Sequence, residues 1–153
     1  MNAAPAVQQQ LLDLQALDSV LDRLAQRRRT LPEIAEIATI DDRLRVLGDQ
    51  IVMAEAHIGD IAREERRIEA DVDVVRTRIA KDQQRLDTGA VNSPRELENL
   101  QHELLSLARR RGDLEDLELE QMEAKEQSES ALRILQDEVD ELTTRRAAAA
   151  ARR

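Results

Sequence analysis

Phenylalanine, tryptophan, tyrosine and cysteine are all absent from this 153-residue chain, which also has only 4 glycines and 3 prolines. Each absence excludes something. A globular domain of this length normally buries several aromatic rings, each removing roughly 150–250 Å² from water. Without cysteine there are no disulfides and no thiolate zinc sites. So little glycine and proline leaves almost no turn material for short-strand sandwiches or barrels. No apolar run approaches the roughly 18 residues of a membrane span. The opening MNAAPAVQQQLLDLQALD has no basic segment followed by an apolar block, so it does not read as a signal peptide, and a bacterial-style cytoplasmic location is expected. Acids outnumber bases 32 to 23, a formal charge of −9. Such a chain is a poor non-specific binder of nucleic acid, because counterion release needs clustered cations along the phosphates.

What is present suits helices. The apolar 41% is nearly all Leu, Ile, Val and Ala, and charged residues make up 36%, a composition typical of coiled coils. Val7, Leu11, Leu14, Leu17, Leu21 and Leu24 recur at helical spacing, so a first helix is expected over 6–31. Leu31-Pro32-Glu33 interrupts it, since proline lacks an N–H and clashes with the preceding turn.

A heptad frame then starts afresh. With Ile37 at a, the a positions are Ile37, Leu44, Ile51, Ile58, Glu65, Val72, Ile79 and Leu86. The d positions are Ile40, Leu47, Ala54, Ile61, Ile68, Val75 and Asp82. Only Glu65 and Asp82 are polar, and so regular a seam predicts a left-handed supercoil. At 88–93 the pattern stops. Gly89 can take the left-handed conformation that ends a helix. Ser93 with Glu96 forms a capping box, and Pro94 takes the first helical position. A third stripe follows at Leu97, Leu100, Leu104, Leu107, Arg111 and Leu114, and again at Leu132, Leu135, Val139 and Leu142.

Arms of similar length, 33–87 and 94–148, joined by a short loop predict an all-α fold: a long, kinked antiparallel coiled-coil hairpin. If the turn centres near residue 90, facing residue numbers add to about 181. Residues 7–27 would then need partners at about 154–174, beyond Arg153. Either they fold back at Pro32 as a third helix, or the second arm has been cut short.

Few constellations suggest chemistry. His57 and His102 lie at different levels of such a hairpin, with no metal-ligand spacing around either. No glycine-rich phosphate loop, GxSxG or HExxH is present, and two zipped helices enclose no cavity in which to shift a carboxylate. The chain therefore reads as no enzyme, with no cofactor of its own. Three surfaces remain. The tip offers Asn92, Ser93 and Arg95; a plain turn is the simpler reading. Arg27, Arg28 and Arg29, with Arg145 and Arg146, cluster towards the open end with few evident partners, whereas Arg109–Arg111 should pair with Glu69, Asp71 and Asp73 across the hairpin. Finally, Asp113–Glu141 carries 12 acids against Lys125 and Arg133. Within it the seam falls on Glu118, Gln121, Lys125 and Ser128. Either the seam rotates onto Leu117, Ala124 and Ala131 with Met122, or an acidic, soft midsection including Glu118, Gln121, Glu123 and Lys125 docks a basic protein.

Several segments carry a resemblance. Gly89-Ala90-Val91-Asn92-Ser93-Pro94-Arg95-Glu96-Leu97, then Leu100-Gln101-His102-Glu103-Leu104, then Leu114-Glu115-Asp116-Leu117-Glu118-Leu119-Glu120-Gln121-Met122-Glu123 are similar to one bacterial family. Leu14-Gln15-Ala16-Leu17-Asp18 and the Leu31-Pro32-Glu33 break fit it too. That family joins an N-terminal coiled-coil hairpin to a C-terminal four-cysteine zinc ribbon. The resemblance implies a non-catalytic adaptor, a monomer or weak dimer with protein partners and no membrane. Members have been linked to nucleic acid through the ribbon, and some to flagellar or secretion functions and an alternative sigma factor. With no cysteine here, zinc and nucleic-acid binding are expected only of a ribbon this chain lacks. The missing ribbon and the unpaired 7–27 agree in suggesting a second arm cut short. The alternative is a plain structural or oligomerisation coiled coil.

Overall fold

The computed structural model describes residues 4–29 and 31–152. Three helices make it up: α1 (Pro5–Arg29), α2 (Pro32–Asp87) and α3 (Pro94–Ala151). All 3 prolines of the chain sit at the first position of a helix. There the absent N–H is one that the helix could not have used, and the fixed φ is already helical. The residue before each proline supplies the carbonyl that starts the helix. Ala4 accepts from Val7 at 2.8 Å, Leu31 from Ile34 at 3.0 Å and Ser93 from Leu97 at 3.1 Å.

The turn between α2 and α3 is tightly specified. Gly89 has φ 65°. Its N–H donates to the Leu86 carbonyl at 3.2 Å, and the Ala90 N–H donates to the Arg85 carbonyl at 3.2 Å, which completes a Schellman motif. On the far side the Glu96 N–H donates to Ser93 Oγ at 3.1 Å, while Glu96 Oε2 accepts from the Asn92 N–H at 3.1 Å. The reciprocal half of the capping box thus lands one residue before the cap.

Two compact units divide the chain: Met1–Asp49 with Gln136–Arg153, and Gln50–Leu135. In the second unit α2 and α3 pack antiparallel around Ile61, Ile68, Val72, Leu100 and Leu114, all buried. Ile68, Val72 and Leu114 form its tightest cluster, with Val75 against it. Arg78–Glu103 at 2.6 Å and Arg85–Glu96 at 3.3 Å bridge the two helices, both at the spacing expected of a turn centred near residue 90. In the first unit Ile40, Leu47 and Ala149 are buried, and Arg43–Glu138 at 2.8 Å obeys the same spacing.

Every a and d position of α2, from Ile37 to Leu86, is buried or half-buried, Glu65 and Asp82 included. No residue of α1 is: all of 4–29 is exposed, with Leu17 at 61% and Leu21 at 62%.

Candidate interaction surface

The acidic stretch of α3 decides between the two readings of its seam. Glu118, Gln121, Lys125 and Ser128 are each half-buried, in step with Leu114 before them and Leu132 after. Leu117, Met122 and Ala131 are exposed, and of the substitute stripe only Ala124 is partly covered. The expectation that the seam rotates is thus overturned. Helical phase is set over the whole length of α3 by the flanking leucines, so four polar side chains are carried inward with it. One of them has a charged partner: Lys125 Nζ lies 3.1 Å from Glu65 Oε2, joining the polar a position of α2 to the polar run of α3.

Away from the in-phase seam, apolar side chains of the same stretch stand in solvent. Leu119 is 58% and Met122 51% exposed, and with Glu123, Lys125, Glu126 and Glu129 they line a shallow groove beside Glu65. Glu123 is thus the one residue of the expected midsection site that stands fully in solvent. Glu118, Gln121 and Lys125 belong to the helix–helix seam. Leu119, Glu126 and Glu129 were not singled out from the sequence, and Met122 was named only as part of a rotated seam. Their signal was present, in the apolar residues one step off the polar seam positions.

At the tip, Asn92, Ser93 and Arg95 are all exposed, and the first two are occupied in capping α3 through Glu96. Arg85 reaches the same carboxylate, so Glu96 ties both helices to the loop. Leu86, Val91, Pro94 and Leu97 line a small apolar depression beside it. Arg27, Arg28 and Arg29 occupy the last turn of α1, exposed, where cations suit the negative end of the helix.

The other arginines depart from expectation. Arg145 and Arg146 are well partnered: Arg145 lies 3.7 Å from Glu36, and Arg146 Nε donates to Asp41 at 2.5 Å. These pairs arise because α3 continues past Arg145 alongside the start of α2. Arg109 and Arg110 are exposed and do not reach Glu69, Asp71 or Asp73, and Arg111 approaches Glu115 on its own helix at 3.6 Å. A seam position turns Arg111 inward, away from the flanking acids.

Two carboxylates are shifted, both in the first unit. The hydrogen bond from Arg146 holds Asp41 below the ordinary carboxylate range, and the Arg43 hydrogen bond does the same for Glu138. Arg43, Arg78 and Arg146 are raised, chiefly by their hydrogen bonds to Glu138, Asp82 and Asp41. Among the described residues no cluster of three or more His, Cys, Asp and Glu is placed to hold a metal, and no helix is long and apolar enough to cross a membrane.

A helical hairpin is what the family comparison finds as well. The CT398-like coiled coil hairpin domain model matches residues 14–153. The chain belongs to that family. Two relatives from Mycobacterium tuberculosis, Uncharacterized protein MT2288 of strain CDC 1551 and Uncharacterized protein Rv2229c of strain H37Rv, are each 35% identical over 127 residues, 83% of this chain. The chain spans about half, 51%, of the length of these curated relatives. A solved structure from Mycobacterium smegmatis superposes with a TM-score of 0.80 at 28% identity, covering 99% of this chain and 62% of that one. The hairpin is therefore a family feature, and the relatives extend well beyond the part it matches.

Proposed function

We propose that this member of the hairpin family is a non-catalytic adaptor whose α3 groove receives a basic, amphipathic segment of a partner protein. The observation that carries the reading is the in-phase polar seam, which leaves Leu119 and Met122 in solvent among Glu123, Glu126 and Glu129. Two apolar anchors provide area to bury, and three carboxylates favour a lysine- or arginine-bearing helix laid along them. With no cysteine in the chain, no residue here is proposed for zinc, and nucleic-acid binding is assigned to none.

A basic amphipathic peptide carrying one tryptophan tests this directly, since the protein has no aromatic residue to obscure its fluorescence. Binding should saturate at one peptide per chain and weaken as salt shortens the screening length to about 8 Å at physiological strength. Leu119→Ser with Met122→Ser should weaken it at least tenfold, whereas Leu105→Ser, another exposed leucine of α3, should not. Equal binding by the groove variant and the parent would overturn the reading and leave a plain oligomerisation coiled coil.

A further inference from the structure

The groove on α3 continues past Leu119 and Met122. A second shallow groove, lined by Glu123, Glu126, Gln127, Ser130, Ala131 and Ile134, shares Glu123 and Glu126 with the first. Both lie within the second unit. Their exposed residues fall into two rows at four-residue spacing. Leu119, Glu123, Gln127 and Ala131 form one row, and Met122, Glu126, Ser130 and Ile134 form the other. The rows match in chemistry: each is apolar at both ends, with a glutamate second and a neutral polar residue third. Rows at this spacing are the i±4n ridges of a helix surface, and the channel between two of them can take a ridge of another helix. The apolar ends of each row are separated by about 18 Å at 1.5 Å per residue.

A partner lying alongside α3 as a further coiled-coil strand, at about +20°, would need outward apolar residues repeating every seven. There is no such repeat. Seven residues from Leu119 stand Gly112 and Glu126, from Met122 Glu115 and Glu129, and from Ile134 Gln127 and Glu141. The apolar side chains are grouped instead at the two ends of the channel, Leu119 with Met122 and Ala131 with Ile134. Between them Glu123 and Glu126 flank the channel, and neither row contains a base. We infer that the occupant of the α3 groove is a single basic helix that crosses α3 obliquely, near about −50°, with one of its own four-spaced ridges in this channel. This rests on the α3 groove being a docking site, and it specifies the chemistry of the occupant. The ridge has an apolar residue at each end, and Lys or Arg with one neutral polar residue at the four-spaced positions between.

Two basic peptides of identical composition, each with one tryptophan, test this on the full chain. In the first, leucine, arginine, glutamine and leucine follow one another at four-residue spacing. In the second, the same residues are rearranged so that the leucines repeat every seven. Fluorescence titration should show the first binding about tenfold tighter, because the second leaves one apolar anchor unplaced. Ile134→Ser lies at the far end of the channel from Leu119 and Met122. It should weaken the first peptide by about tenfold as well, while leaving the hairpin's melting unchanged, since Ile134 is 67% exposed. Equal or tighter binding of the heptad peptide would overturn the crossing and keep the groove as a docking site. Full affinity of the first peptide for Ile134→Ser would confine binding to the Leu119 end and sink the proposal in the same way. Binding of neither peptide would remove the groove reading and the crossing together.

Discussion

Asp82 sits at a d position of α2 with 1% of its surface exposed, among the most buried side chains described. Its charge is met from its own helix, by Arg78 at 3.3 Å and Arg85 at 4.0 Å, and each arginine also holds a carboxylate of α3. The aspartate therefore helps to orient two cross-helix bridges near the turn. Its own burial is costly, and a well-packed apolar side chain often replaces a buried charge at no loss or with a gain of about 1–4 kcal/mol. Asp82→Leu leaves Arg78 with Glu103 and Arg85 with Glu96, so the melting temperature should rise by a few degrees. A fall as large as that of Asp82→Ala would show that the network contributes more than its desolvation costs. Gly89 gives the opposite expectation. No atom lies within 4 Å of the place a Cβ would occupy, so Gly89→Ala meets no steric barrier. The remaining penalty is the left-handed backbone, roughly 1–2 kcal/mol for an L-residue. Thermal melts of the two variants check both predictions together.

Along α3 the element follows a phase that no single residue sets. The heptad arithmetic of α2 was legible residue by residue, because thirteen of fifteen seam positions are apolar and any shift would expose them. The turn was legible too, since Gly89, Ser93, Pro94 and Glu96 each have one strong local preference. The midsection was not, because local polarity there argues for rotation while the flanking leucines argue against it. Cooperativity of helix phase won, which leaves Leu117, Met122 and Ala131 in solvent. This gives a prediction at the scale of the helix. Glu118, Gln121 and Ser128 face the partner helix without burying apolar area, so Leu at these three positions should raise the melting temperature, each site contributing up to roughly 1.5–3 kcal/mol. Adding Lys125→Leu should return part of that gain, because it leaves half-buried Glu65 without its cation. Hydrogen exchange in the parent should be faster over 115–130 than over 97–108. Equal protection across both stretches would show that the polar run weakens nothing.

Each unit has ion pairs between α2 and α3, but they are backed by different amounts of apolar packing, so acid and salt should affect the two units unequally. In the first, three small clusters bridge α2 and α3 beside Ile40, Leu47 and Ala149: Arg43 with Glu138, Arg146 with Asp41, and Arg145 and Arg152 with Glu36. In the second, five buried aliphatic side chains from Ile61 to Leu114 provide more apolar packing. Asp41 and Glu138 ionise more readily in the folded state than free carboxylates do, because their arginine partners favour the anion. A carboxylate lowered in this way contributes stability above its unfolded value, near 4, and that contribution disappears as pH falls through the lower folded value. Acid should therefore open the first unit before the second. Exchange at 36–47 and 138–149 should accelerate as the pH falls from about 5 towards 3, while 61–72 and 100–114 stay protected. High salt at neutral pH should act in the same order by screening these exposed pairs. Asp41→Asn with Glu138→Gln should flatten the acid response of the first unit and leave the second unchanged. Simultaneous opening of both units in the parent would show that apolar contacts, and not these arginine pairs, set the stability of the first.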